Sequence, residues 1–382
     1  MPTPGARVWQ GLALLCCALF LLSIAQLYDP ASGFTTLIGL CENGHAWETP
    51  ALQATTHYDH PGTQCYDGSY YVQFALDPLV RDPAIDRAMD NPAYRARRIL
   101  FSWTAYVAGL GRPAWIVQAY AAQNIVFWLV LAWVMTHWLR PVNARSFAVW
   151  FAVMFSPGLL ASVRLSLLDG PSMLLLALAV AAAEGGRTWT SAAVLGVAGL
   201  GRETNLLGVV SLPLPSGWKG WARLAGAGLV VILPLLVWQD YIWAIYRGTS
   251  AAAGTDHITP PLLAYARKWE ASIQAIQQIG LWTYAGTTLL VVVALTAQAA
   301  YLTWNRAWRE PWWRLAAAYA VLMFVVDFVV WEGHPGAVTR VVLPLTFGFN
   351  ALLSRYPRGF WGWYAVGNLQ LAAGVSGLPA LF

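Results

Sequence analysis

Long apolar stretches follow one another along almost the whole chain, and they restrict its fold more than any other feature. They run at 99–111, 114–138, 145–168, 170–183, 188–201, 203–214, 221–245, 280–303, 313–331, 337–354 and 359–378, behind a first one from Val8 to Gln26. A helix needs about 20 apolar residues to cross a bilayer, so the longer stretches read as transmembrane helices. Composition agrees. Only 11% of the residues are charged and 58% are hydrophobic, whereas a soluble domain carries about 25% charged residues. The expected class is an all-α polytopic membrane protein, a single membrane-embedded unit over 1–382. The net charge of +5 gives no nucleic-acid partner, because no Lys/Arg block alternates with aromatic residues as a nucleic-acid groove requires.

Several stretches are too short to cross alone. Ser156-Pro157-Gly158 interrupts one, and Gly201-Arg202-Glu203 interrupts another. Each is either a pair of short helices meeting at a break or one kinked span, which gives about 11 to 13 transmembrane helices in all. Val8 to Gln26 follows Arg7, lacks a clean small-x-small cleavage site and precedes many further spans, so it reads as a retained first helix rather than a signal peptide. Lys219 and Arg223, then Arg306, Arg309 and Arg314, then Arg355 and Arg358 fall in loops on one side. The positive-inside rule makes that side cytoplasmic. The long segments 28–98 and 246–279 then lie on the extracytoplasmic face, and so does the C-terminus.

The first of these segments concentrates the polar chemistry: nine of the 18 acidic residues lie between Asp29 and Asp90. Cys41 and Cys65 share it. They are either free thiols or a disulfide closing a loop of about 25 residues, which would stabilise by roughly 3 kcal/mol. Cys16 and Cys17 lie in the first apolar stretch and read as small buried hydrophobes. In the same segment, Asp67 precedes Tyr70, Tyr71, Phe74 and Ala75 at helical spacing. That pattern predicts a turn feeding an amphipathic helix on the membrane surface. His57 and His60 flank Asp59, but the motif reads as a solvated loop rather than a metal cluster. No cofactor is indicated, and a divalent metal is left open.

A charge inside an apolar span costs roughly 2.5–3.5 kcal/mol on insertion scales, so each one invites a functional reading. Arg202 and Glu203 sit at a break, where Arg202 is placed to meet a phosphate. Asp169 in Leu168-Asp169-Gly170-Pro171 fits a helix N-cap and, in the 13-span count, lies on the outer side. Asp90, Tyr94, Arg95, Arg97 and Arg98 end the outer segment. Three arginines there run against the positive-inside bias, and an anionic partner held by guanidinium forks would explain them. Arg340 follows a short turn containing His334, which reads first as a structural histidine.

Taken together, these features resemble the GT-C superfamily of integral membrane glycosyltransferases, which use polyprenyl-phosphate-linked sugars. The matching elements are a first span, an outer loop with Tyr66-Asp67-Gly68, and a loop end at Asp90-Asn-Pro-Ala-Tyr94-Arg95-Ala-Arg97-Arg98. Leu168-Asp169-Gly170, Gly201-Arg202-Glu203-Thr204 and the Gly336–Pro344 turn follow. The resemblance implies that Asp67 is the catalytic base and that Arg95, Arg97, Arg98 and Arg340 hold the donor phosphate. It implies a multi-pass protein of the bacterial inner membrane with its site on the periplasmic face. The implied partners are membrane lipid, a polyprenyl-phosphate sugar donor and a glycan, lipid or protein acceptor. The chain departs from the family's paired acidic motif, because glycine follows Asp67, and this weakens a metal-dependent reading. Two other classes fit part of the pattern. A transporter or flippase for a lipid-linked or anionic substrate would use the broken helices and intramembrane charges. A structural subunit would need Asp67 only as a helix cap.

Overall fold

The computed structural model describes residues 4–247, 258–332 and 337–373, and these fold as helices with no strand among them. Four helices are long and apolar enough to cross a membrane: Gly5–Ala25, Pro113–Met135, Gly217–Ile245 and Gly286–Asn305. At about 1.5 Å per residue each reaches roughly 30 Å or more, the thickness of a hydrocarbon core. A fifth crossing arises if the bent pair Ala144–Met154 and Pro157–Arg164 is one span. The other apolar stretches form shorter helices, such as Leu100–Ala108, Thr188–Gly199 and Pro311–Val325. By length and composition the structure thus supports four or five crossings, against the 11 to 13 expected from apolar runs.

The breaks are real. Pro157 has no N–H to donate and its ring would collide with the preceding turn of a continuous helix. The chain therefore stops at Met154, turns by 44° and restarts with Pro157 in the first turn. Gly158 then abuts the backbone of Thr339 and Arg340, where a Cβ would overlap Thr339 O. At the second break, the helix Thr188–Gly199 gives way to a 3-10 helix, Glu203–Ser211, with Arg202 extended between them.

The carbonyls left open at the end of the helix Pro157–Arg164 and in the turn that follows it are satisfied by the long helix Pro113–Met135. Its buried Asn124 donates to the carbonyls of Ser162 and Leu167, both at 2.8 Å, and Tyr120 Oη donates to Ser166 O at 3.0 Å. Ser166 itself adopts a left-handed conformation, φ +48°, uncommon for a residue with a side chain. These bonds hold it there and so fix the approach of the chain to Asp169.

The segment 28–98 folds as short helices over its own core. The helix Gly68–Leu76 is present, but it does not lie on a surface. Tyr71, Val72, Phe74 and Ala75 are all buried, in one cluster with Ile38, Leu52, Ile85, Phe101 and Tyr120. The aromatic spacing that suits a bilayer surface suits a protein core equally well, and here the rest of the segment covers the helix. Buried Gln73 is satisfied on both sides: Oε1 accepts from Thr49 N at 2.8 Å and Nε2 donates to Ser69 O at 3.1 Å. Cys41 and Cys65 form a disulfide, and Cys16 and Cys17 remain free.

Candidate functional site

Five separate stretches of sequence meet around a cavity of about 640 Å³. The loop before Gly68 brings Tyr66 and Asp67. The short helix Pro92–Ala96 and its end bring Tyr94, Arg95 and Arg98. The start of the helix Asp169–Glu184 brings Asp169, the break before Glu203 brings Arg202, and the helix Ala337–Val341 brings Arg340. Among the described residues, five arginines line the cavity against two aspartates.

Asp67 sits at the N-cap position of its helix but makes no capping bond. Its Oδ1 accepts instead from Arg95 Nη1 at 3.0 Å, and its side chain remains 35% exposed. Asp90 grips the other edge of Arg95 with both oxygens, from Nε at 3.0 Å and Nη2 at 2.8 Å. Burial works to raise the Asp90 carboxyl, but its hydrogen bonds and charge contact with Arg95 outweigh this and hold it below the ordinary carboxylate range. The Arg95 guanidinium also lies over the Tyr70 ring, 4.6 Å from its centroid.

Asp169 is arranged differently. It lies in the first turn of the helix Asp169–Glu184, where Leu168 is the N-cap and no side chain caps. The expected capping role is therefore not the one it plays. Ser162 Oγ accepts from Gly170 N at 2.8 Å, and the Asp169 carboxylate is left for two guanidiniums. It pairs with Arg202 and with Arg340, the latter at 3.3 Å, and is only 3% exposed. Arg340 Nη2 also donates to Tyr66 Oη at 2.7 Å, which joins this group to the residue next to Asp67.

Arg98 forms a third group. Its Nε donates to Glu203 at 2.9 Å, while its remaining nitrogens donate to the hydroxyls of Tyr71 and Tyr94. Glu203 and Asp90 thus act on the site through arginines rather than as lining residues. Arg97, grouped with Arg95 and Arg98 by sequence, caps the end of the short helix and does not line the cavity. His334 lies outside the described residues. Arg164 was missed by sequence reasoning. It lines the cavity and donates to Thr36 O at 2.8 Å. Its signal was available, since it is a charge inside the apolar run 145–168.

Position 68 has a steric explanation. A Cβ on Gly68 would overlap the carbonyl oxygens of Ile38 and Leu165, so a second carboxylate beside Asp67 has no room in this fold. The fold and the site together define a helical protein with apolar helices of membrane-crossing length and a cationic cavity. The chain matches no protein-family model, no curated protein and no solved structure.

Proposed function

We propose that this chain is an inverting membrane glycosyltransferase. In this reading it moves a sugar from a polyprenyl-phosphate donor to an acceptor hydroxyl at the extracytoplasmic face. The observation that carries the reading is the convergence of Asp67, Arg95, Arg98, Arg202 and Arg340 on one cavity. Their positions in the sequence span more than two hundred residues, and no packing requirement of an apolar bundle brings charges together in this way.

The chemistry assigns each group a task. The acceptor hydroxyl attacks the anomeric carbon while its proton passes to a carboxylate, a step worth about 10²–10⁴-fold. Among the two lining carboxylates only Asp67 is open to a substrate, because Asp169 is buried between two guanidiniums. The bond from the anomeric carbon to the phosphate oxygen breaks with its electron pair going to the phosphate, and charge grows there. Asp169 neutralises only one of its two arginines, so Arg202 and Arg340 keep a net positive charge for that phosphate to meet. Displacement in one step from opposite faces inverts the anomeric centre.

The bend at Ser156-Pro157 also suits a transporter or flippase of a lipid-linked or anionic substrate, whose binding sites form at broken helices. One experiment separates the two readings. Purified protein is incubated with a panel of polyprenyl-phosphate sugars and acceptors, comparing the natural chain with Asp67→Asn. The enzyme reading expects sugar transfer that falls by about 10²–10⁴-fold in the variant. Donor moved across a vesicle membrane without transfer, and unchanged by Asp67→Asn, overturns it.

A further inference from the structure

A second cluster of functional side chains lies inside the loop closed by the disulfide, away from the arginines of the cavity. His45, Glu48 and His57 place their donor atoms within 4.8 Å of one another. Asp59 reaches both histidines. His45 Nδ1 lies 3.2 Å from Glu48 Oε2, and its Nε2 lies 3.2 Å from Asp59 Oδ2. His57 Nε2 lies 3.5 Å from Glu48 Oε1 and 3.4 Å from Asp59 Oδ1.

We propose that His45, Glu48 and His57 bind a divalent transition-metal ion, Zn²⁺ being the best matched, with Asp59 beside them, and that this ion braces the loop forming one wall of the cavity. Three observations carry the assignment. The first is unpartnered oxygen: Glu48 Oε1 and Asp59 Oδ1 are buried without a hydrogen bond, and the Glu48 side chain is only 3% exposed. Buried carboxylate oxygens left bare are costly, and a cation between them removes the cost.

The second is the orientation of His57. Its Nδ1 lies 2.7 Å from Thr55 O, a carbonyl that can only accept. Nδ1 is therefore committed as a donor, and Nε2, facing Glu48 Oε1 and Asp59 Oδ1, is the nitrogen an ion would take in place of a proton. A backbone carbonyl fixing the far nitrogen is the usual outer support of a metal-bound imidazole. The third is spacing. Zinc ligands at about 2.0–2.1 Å in a tetrahedron stand about 3.3 Å apart; Glu48 lies 3.2 Å from His45 Nδ1 and 3.5 Å from His57 Nε2, and all three donors lie within 4.8 Å of one another. Two imidazoles and one carboxylate, with a position left open, form a nitrogen–oxygen set suited to zinc rather than to calcium or magnesium. His45, 57% exposed, leaves a path for the ion to enter.

The cluster reverses the expectation drawn from His57, Asp59 and His60. His60 takes no part, its Nε2 lying 2.8 Å from Thr36 O, while the two missing ligands come from the turn after Cys41. All four residues lie between the bonded cysteines. The loop they staple leads through Cys65 directly to Tyr66 and Asp67.

The test uses full-length protein in detergent, purified through a tag without histidines. Its metal content is measured after exchange into metal-free buffer, and its melting temperature is followed with added Zn²⁺ and with chelator. The expected result is about one zinc per chain, a lower melting temperature after chelation and its recovery on adding zinc. His45→Ala and Glu48→Gln lose the metal and the zinc-dependent shift, while His60→Ala keeps both. His45 is exposed, so its variant folds even where the buried ones fail. A natural chain that carries no metal and melts identically with zinc and with chelator overturns the proposal. So does full zinc retention by His45→Ala and Glu48→Gln. Neither readout depends on sugar transfer.

Discussion

The two ends of the cavity hold the same residue type in opposite circumstances. Asp67 has one arginine on one oxygen and stays 35% exposed, while Asp169 has two arginines and is 3% exposed. A carboxylate buried away from water must be paired, and one held by two arginines and 3% exposed is closed to a substrate. Asp169 is thus a fixed anion around which Arg202 and Arg340 are set. Asp67 is the carboxylate with an oxygen to spare. On the proposed reading, environment rather than identity separates the reacting group from the scaffold.

Substitution at the two positions should therefore fail in different ways, and this is the largest effect expected. Asp67→Asn should lower sugar transfer by about 10²–10⁴-fold and leave the melting temperature nearly unchanged. Asp169→Asn should lower stability by about 3–5 kcal/mol, because removing the shared partner leaves two guanidiniums buried without a counter-charge. Activity assays and denaturation of the two variants side by side check the contrast. An Asp67→Asn chain that unfolds, beside an Asp169→Asn chain that is stable but inactive, would exchange the two roles. A smaller effect is expected where the ends are joined. Tyr66→Phe deletes the 2.7 Å bond from Arg340 and should cost about 1.5–3 kcal/mol, as a hydrogen bond to a charged donor does. Transfer should also fall, since Tyr66 precedes Asp67 in the chain, and a melt and a rate measured on one preparation test both.

The charges were legible in the sequence, and their partners were not. Arg202, Glu203, Asp169 and Arg340 stand out because charge is expensive in an apolar run. Nothing local says that Arg340 meets Asp169, 171 positions away, or that Arg98 meets Glu203, 105 positions away. The break at Pro157 was legible because proline removes a helix bond wherever it falls. The depth of the helix Gly68–Leu76 was not, because Tyr71 and Phe74 would face a core or a bilayer with the same periodicity. Apolar runs and helices of crossing length give different counts for a related reason: apolar character marks burial in protein and in lipid alike. The His45–Glu48–His57 cluster was hidden by chain distance. It is assembled by the disulfide and by the pairing of Cys41 with His60, not by a contiguous motif.

The smallest effect concerns how Arg95 is shared. Asp90 occupies two of its donors and leaves Nη1 for Asp67, so Asp90 is a positioning residue at the open end of the cavity. Its carboxyl lies below the ordinary range in the folded chain, with the contacts to Arg95 outweighing burial. A depressed folded value stabilises above the unfolded value of about 3.9 and loses that contribution as pH falls through the folded value. Acid should therefore weaken the natural chain below about pH 4 in a way that Asp90→Asn does not share. The Asp90 side chain is 52% exposed, so solvent and salt screen the pair and the difference should stay below about 1 kcal/mol. Melting curves across that pH range, at low and high salt, measure it. A loss at Asp90→Asn as large as that at Asp169→Asn would mean that both ends of the cavity are equally dry, and the distinction between an open carboxylate and a locked one would no longer hold.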